Sequence, residues 1–276
     1  MNSLSAGSLI APVGNLQQLG LTAFMPHPAL TPWVQCYWVR RRHLSVQTDN
    51  PSMLYPDGGS SLSFCITPDG SIDTYFSNIQ VRHTFYLDSP QDLISVRFYP
   101  GGAFGLLGPE ASQQTNQTLD LSDLGISTLY ETQQQLGATD NILEQLGYVE
   151  RWLLRQLDRV KTTDPIQHSL TLMQRQLWSV SALSNAVHLS RRQFERRFLR
   201  QTGLTPAQLK IMLRIRQARQ QITQQPQRQL TNIALSCGFY DQAHFIHQFK
   251  QITGQTPGSY QKRKQTEKMS QKYNPT

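Results

Sequence analysis

The chain has 276 residues, with 26 Lys and Arg against 18 Asp and Glu, a formal charge of +8 and a pI near 9.6. That length suits one large or two ordinary domains whose core needs no staples, and 38% hydrophobic with 9% aromatic residues argues against a mostly disordered chain. No apolar run approaches the ~18 residues of a membrane span, no basic start precedes Arg40 to open a signal peptide, and three scattered cysteines (Cys36, Cys65, Cys237) fit neither a disulfide framework nor a C-x-x-C zinc site. A reduced, cytoplasmic protein is expected.

Charge divides the chain. Residues 1–165 carry nine basic and fifteen acidic side chains, whereas residues 166–276 carry seventeen basic ones and three acidic, Glu195, Asp241 and Glu267. A basic C-terminal part is drawn to a polyanion such as nucleic acid, while the acidic remainder calls for a different partner.

Residues 1–20 lack periodicity and read as a flexible leader. From Trp33 the pattern has period two: Trp33, Gln35, Tyr37 and Val39, then Leu62, Phe64 and Ile66, then Ile72, Thr74 and Phe76. The turn chemistry of Thr67-Pro68-Asp69-Gly70 joins the last two runs into a hairpin. Val81 to Leu87 and Ile94 to Phe98 supply further strands. Five or more short strands at this spacing predict a small antiparallel barrel or sandwich.

After Pro100-Gly101-Gly102 the period changes. Ile142, Leu146, Val149, Leu153, Leu157 and Val160 recur at helical spacing, with Trp152 widening the stripe and Asn141 and Glu144 placed as a capping box. This helix either packs on its own domain or forms a dimer seam. Asp164-Pro165 then opens an all-α region, since Asp caps a helix and Pro suits its first turn. Ile166, Leu170, Met173 and Leu177 mark the buried side of its first helix. Residues 261–276 are Lys-rich and poor in apolar side chains, so a basic disordered tail is expected.

The C-terminal part repeats itself at an offset of 51. Phe194-x-x-x-Phe198-x-x-x-Thr202-Gly203-x-Thr205-Pro206 recurs as Phe245-x-x-x-Phe249-x-x-x-Thr253-Gly254-x-Thr256-Pro257. Each copy follows a short apolar helix and a break, at His188-Leu189 and at Cys237-Gly238-Phe239. Helix, tight turn and second helix make a helix-turn-helix pattern, present twice. The paired phenylalanines share one helix face and read as core. Left facing outward are Arg191, Arg192, Glu195, Arg196 and Arg200, and in the second copy Gln242, Ala243, His244, His247, Gln248 and Lys250. Arg, Gln and Glu are the types that read guanine, adenine and cytosine edges in a major groove. The twenty residues between Pro206 and Gln225 contain no Gly and form a helix of about 30 Å. That is close to the ~34 Å between successive major grooves on one face of DNA, so one chain could read an asymmetric site.

The C-terminal hundred residues resemble the DNA-binding domain of AraC-type transcription regulators. The residues that carry this are Ile233-Ala234-x-x-x-Gly238-Phe239, then Phe245-x-x-x-Phe249-Lys250-x-x-x-Gly254-x-x-Pro257-x-x-Tyr260, with Arg214-Ile215-x-x-Ala218 on the connecting helix. The resemblance implies base contacts from Arg192, Glu195 and Arg196 in the first unit and from Ala243, His244 and His247 in the second, beside the outward Gln242. Arg191, Arg197, Arg200 and Lys250 are expected on phosphates. Two departures stand out: His188-Leu189 replaces a more usual small turn residue, and His247 occupies a position where the family usually has Arg; because of the second, the first unit is expected to dominate sequence reading.

The N-terminal part resembles the sensor region of one branch of that family, through Pro28-x-Leu30-x-Pro32-x-Val34-x-x-Tyr37-Trp38, Tyr55-Pro56-Asp57-Gly58, and Val96-Arg97-Phe98-x-Pro100-Gly101-Gly102-Ala103-Phe104-x-Leu106-Leu107. This implies a cupin-like β barrel, and Trp38, Asp57 and Arg97 are candidates for lining an effector pocket, with Asp57 and Arg97 simply pairing across the barrel as the alternative. The expected architecture is α+β, with residues 21–120 β-rich, 121–163 a helical linker or dimerisation segment, and 164–260 an all-α tandem helix-turn-helix domain with one long joining helix. Expected partners are double-stranded DNA, an unknown small-molecule effector, RNA polymerase and a second copy of the chain, with no cofactor and no membrane.

Three alternatives compete with this reading. A cupin-like metal oxygenase would need ligands such as His43 and His83, which lack an H-x-H pair with a following carboxylate, or His244 and His247, which lack a third ligand. A cysteine alkyl-acceptor would use Cys36 or Cys65, residues that more often fill small core spaces. An architectural DNA binder would need no effector. No G-x-S-x-G, phosphate loop or dinucleotide fingerprint occurs, so an enzyme is not expected.

Overall fold

The computed structural model describes residues 20–42, 52–81, 83–85, 91–108, 115–120, 126–160, 164–175 and 178–273. The leader expected over 1–20, His43, Leu87 and Leu177 lie outside them or at their edge. The N-terminal part is a six-stranded antiparallel sheet, built from β1 (Thr22–Phe24), β2 (Val34–Arg40), β4 (Ser60–Ile66), β5 (Ile72–Ser77), β7 (Asp92–Phe98) and β8 (Thr118–Asp120). Its order is β1-β2-β7-β4-β5-β8, while β3 (Ser52–Leu54) and β6 (His83–Phe85) pair separately. The predicted hairpin is β4–β5, with Phe64 opposite Thr74. Gly70 closes its turn at φ +85°, its N–H donating to the Thr67 carbonyl at 3.0 Å.

The cupin-like barrel expected from the resemblance is not formed. The sheet is open: β1 and β8 lie at opposite edges, and closure would require those edges to pair. Helices fill the place of the missing wall. Tyr37, Val39, Leu62, Phe64, Phe76, Ile94, Val96 and Phe98 line one sheet face. They pack against α1 (Gly102–Leu107), α2 (Tyr130–Gly137) and α3 (Ile142–Gln156), through Leu106, Leu136, Leu146, Val149, Trp152 and Leu153. With that face buried under helices, bending the sheet onto itself would bury nothing more there.

The stripe of α3 is therefore a core element. Trp152 is fully buried, and its indole N–H donates to Thr128 Oγ at 3.1 Å. Asn141 caps α3 as expected, accepting from the Leu143 and Glu144 amides, but the capping box is not reciprocal. Glu144 accepts instead from the Thr139 hydroxyl at 2.8 Å, and that same oxygen accepts the Asn141 N–H.

Described helices follow from Asp164 onward: α4 (Pro165–Arg175), α5 (Val180–Ala186), α6 (Arg191–Thr202), α7 (Pro206–Gln224), α8 (Leu230–Ser236), α9 (Gln242–Thr253) and α10 (Pro257–Tyr273). Asp164 caps α4, accepting the Ile166 N–H at 2.7 Å, and its other oxygen takes a bond from Gln201 on α6. Two cores follow. Ile166, Leu170, Leu183, Phe194, Phe198, Leu209 and Met212 form one; Ile215, Ala218, Ile222, Ile233, Phe245, Phe249 and Tyr260 form the other. The 19 residues of α7 contribute to both.

Helix α10 runs through the segment expected to be a disordered tail. Buried Tyr260 anchors its first turns against Phe249, and Glu267 pairs with Arg263 at 2.7 Å and with Lys264 at 2.5 Å. A low apolar content hid a helix held at one end and supported by i,i+4 and i,i+3 ion pairs.

Candidate nucleic-acid interface

The two copies of the repeat fold alike because their identical residues are the ones that shape the turns. Phe194 and Phe198, like Phe245 and Phe249, are buried with ring centroids 5.5 and 5.6 Å apart. Thr202 Oγ donates to the Phe198 carbonyl and accepts the Leu204 N–H; Thr253 does the same with Phe249 and Gln255. Gly203 and Gly254 end their helices at φ +73° and +77°. Thr205 caps α7 in a box with Gln208, and Pro206 takes the first helical position.

The turns between the short and long helices differ. In the first, His188 adopts φ +54° between the end of α5 and Ser190, which caps α6 in a box with Gln193. In the second, Gly238 takes that conformation at φ +79°, and Asp241 caps α9. The Leu189 N–H donates to the Ser184 carbonyl as Phe239 does to Ala234, a spacing of five in each case. Phe239 is thus the counterpart of Leu189, and Tyr240 is an additional residue. It is 95% exposed, immediately before α9. Sequence reasoning missed it; the signal was the change of repeat offset from 50 in the short helices to 51 in the long ones.

Each predicted reading residue lies on the solvent side of its helix. Arg191, Arg192, Arg196, Arg197 and Arg200 are exposed on α6, and Gln242, Ala243, His244, His247 and Lys250 on α9; Glu195 is half-buried. Four have neighbours that bear on their use. Arg191 Nε donates to Glu195 at 3.0 Å, so a residue expected on phosphate and one expected on a base hold each other. The Arg200 guanidinium lies 5.6 Å from the centroid of the Phe104 ring, toward the N-terminal part. His244 meets the edge of Phe239 at 5.8 Å, which supports the ring from the core side.

Trp38, Asp57 and Arg97 are brought together. On the sheet face opposite the helices, Arg97 pairs with Asp57, donates to Ser61 Oγ at 3.1 Å and stands 5.4 Å over the Trp38 ring. Burial would raise the Asp57 carboxyl, but Arg97, the Gly59 amide and Arg216 of α7 outweigh it and hold it below the usual carboxylate range. A narrow cleft lies elsewhere, between Ser60, Asn78 and Phe104 of the N-terminal part and Gln201 and Thr202 of α6.

Burial pushes the Cys36 thiol up to about 11 despite nearby Arg97, and burial also raises Cys65, so both stay protonated thiols at neutral pH. Among the described residues no group of three His, Cys, Asp or Glu could hold a metal ion, and no helix is long and apolar enough to cross a membrane.

A family model described as a helix-turn-helix domain matches residues 183–263, and one described as a domain of unknown function matches residues 22–120. A probable transcriptional regulator, LumQ of Photobacterium leiognathi, is 26% identical over 212 residues, covering 72% of this chain and 82% of that protein. The transcriptional activator RhaS of Pectobacterium carotovorum is 36% identical over 78 residues, 28% of each chain. A crystal structure of an AraC-type DNA-binding regulator from Chromobacterium violaceum has 27% identity and a TM-score of 0.34, covering 36% of this chain and 91% of its own. The relatives bear the names of regulators, not of enzymes.

Proposed function

We propose that this chain, a DNA-binding transcriptional regulator of the AraC type, reads an asymmetric site by laying α6 and α9 in two consecutive major grooves. The observation that carries this is α7: one helix contributes to both cores, so each reading helix is packed onto a common strut. Arg192, Glu195 and Arg196 take base edges in the first groove, and Gln242, Ala243, His244 and His247 in the second. Arg191, Arg197, Arg200 and Lys250 supply phosphate contacts that set register and salt dependence. Glu195 takes Arg191 on one carboxylate oxygen, which leaves the other to accept from a cytosine amino group.

The N-terminal part acts as the effector-responsive half. A ligand bearing a negative group at Trp38 and Arg97 would compete with Asp57 for the guanidinium. Self-association would use surfaces other than the apolar stripe of α3, which the sheet covers. The protein would work in the cytoplasm with RNA polymerase as a further partner.

Selection of genomic fragments by the full-length protein at moderate salt tests the reading. A recurrent asymmetric motif spanning about two helical turns is expected. Enrichment without a motif would reduce the protein to a backbone binder.

A further inference from the structure

The segment Tyr55–Gly59 leaves the N-terminal sheet and contacts both DNA-reading units. At its start, Tyr55 packs against the second core. The Arg219 guanidinium of α7 stacks 3.8 Å from the centroid of its ring, and Gln255, just past the end of α9, donates to its hydroxyl at 3.2 Å. At its centre Gly58 lies against the first unit. With φ +85°, it leaves no room for a side chain, since a Cβ there would come within 2.5 Å of Leu209 Cδ1. Between the two, Asp57 pairs with Arg97 of β7 and accepts the Gly59 N–H at 2.9 Å, which ties the segment to the sheet. The N-terminal part also touches the first unit directly, through Gln167 of α4 donating to the Gly101 carbonyl at 2.8 Å.

Arg219 lies in the C-terminal half of α7, beyond Leu209 of the first core, so Tyr55 braces the part of α7 that carries the second unit. The two units are joined by α7 and touch where Ile252 of α9 packs against both cores, which leaves them room to bend and twist about the joining helix. A further contact, made from a body already fixed to the first unit, restricts that remaining freedom. The cation–π stack and the hydrogen bond are directional, so they fix orientation as well as proximity.

We propose that Tyr55–Gly59 is a strap through which the N-terminal part locks the second reading unit against the first, making Tyr55 the positioning residue that sets the half-site spacing the protein accepts. This rests on the two-groove reading above. Adding one base pair between half-sites rotates the second by about 35° and moves it by about 3.4 Å. A braced pair of units cannot follow that change, and an unbraced pair can.

The test measures binding of the full-length protein to its selected site, to the same site lengthened or shortened by one base pair, and to the isolated first half-site. Wild type is expected to lose about tenfold or more in affinity on either spacing change, while Tyr55→Ala loses about threefold or less. Tyr55→Phe, which keeps the stack and loses only the Gln255 bond, should retain most of the wild-type discrimination. Gly58→Ala lifts the strap from the other side without touching the second unit and should loosen spacing as Tyr55→Ala does. A general loss of stability would lower binding to all three spacings alike and leave their ratios unchanged. Wild-type ratios in both Tyr55→Ala and Gly58→Ala overturn the strap. A wild-type protein indifferent to spacing, or equally satisfied by one half-site, overturns the two-groove reading and the strap with it.

Discussion

The six identities of the repeat revealed the C-terminal architecture, and each of them builds a turn or a core rather than a contact surface. Phe194, Thr202, Gly203, Thr205 and Pro206 are accounted for by packing, capping and left-handed backbone. The exposed positions of α6 and α9 proposed to read DNA are ones that differ between copies, such as Arg196 against His247. Arg196→Ala should therefore cost about 1–3 kcal/mol on the cognate site and relax preference at one base step, measurable by titrating a panel of single-base variants; equal loss on all of them would leave only a phosphate contact. His188 was visible in the sequence as a departure, and the structure supplies the physics: a side chain at φ +54°, where glycine sits in the second copy. His188→Gly should raise stability in a denaturant melt by up to about 1 kcal/mol. Asp57 illustrates a limit of reading alone. Its place near Arg97 was expected, but its link to Arg216 across the two halves was not. Because its folded carboxyl is depressed, its stabilisation is complete above the ordinary carboxylate range and disappears as pH falls through the lower folded value. Melting temperatures of wild type and Asp57→Asn should differ at pH 7 and converge as acid is added.

At the scale of elements, local chemistry carried most of the information. Ser190 and Thr205 cap α6 and α7, and both form reciprocal boxes. Ser190→Ala or Thr205→Ala should each cost about 1 kcal/mol in a urea melt. The helix α3 was legible as amphipathic, but its partner was not, because a stripe of Leu146, Val149, Trp152 and Leu153 looks the same against a sheet or a second copy. The sheet covers it. Trp152→Ala should then destabilise the chain by about 3–5 kcal/mol without changing its oligomeric state in sedimentation; a clean dimer-to-monomer shift would restore the seam. The short strands β1 and β8, three residues each, carried no period long enough to detect. For α10 the error ran the other way: composition suggested disorder, while one anchored tyrosine and local ion pairs hold a helix.

For the whole molecule, the division of charge between the acidic first 165 residues and the basic remainder pointed to a polyanion before any motif was considered. It implies a steep fall of DNA affinity with salt, and Lys250→Ala should make the log–log slope shallower by about 1 while weakening all sequences alike. Periodicity, turn residues and the internal repeat were enough to determine the α+β character, the two helix-turn-helix units and the joining helix, since all of these depend on neighbours close in the chain. Tertiary structure alone decided that the sheet stays open, that α3 closes over it, and that Tyr55 reaches Arg219 and Gln255. Those outcomes depend on which apolar face is covered by which element, and on contacts between residues up to 200 positions apart. A pattern of spacing records only that a face must be buried; the chain's three-dimensional path determines what buries it.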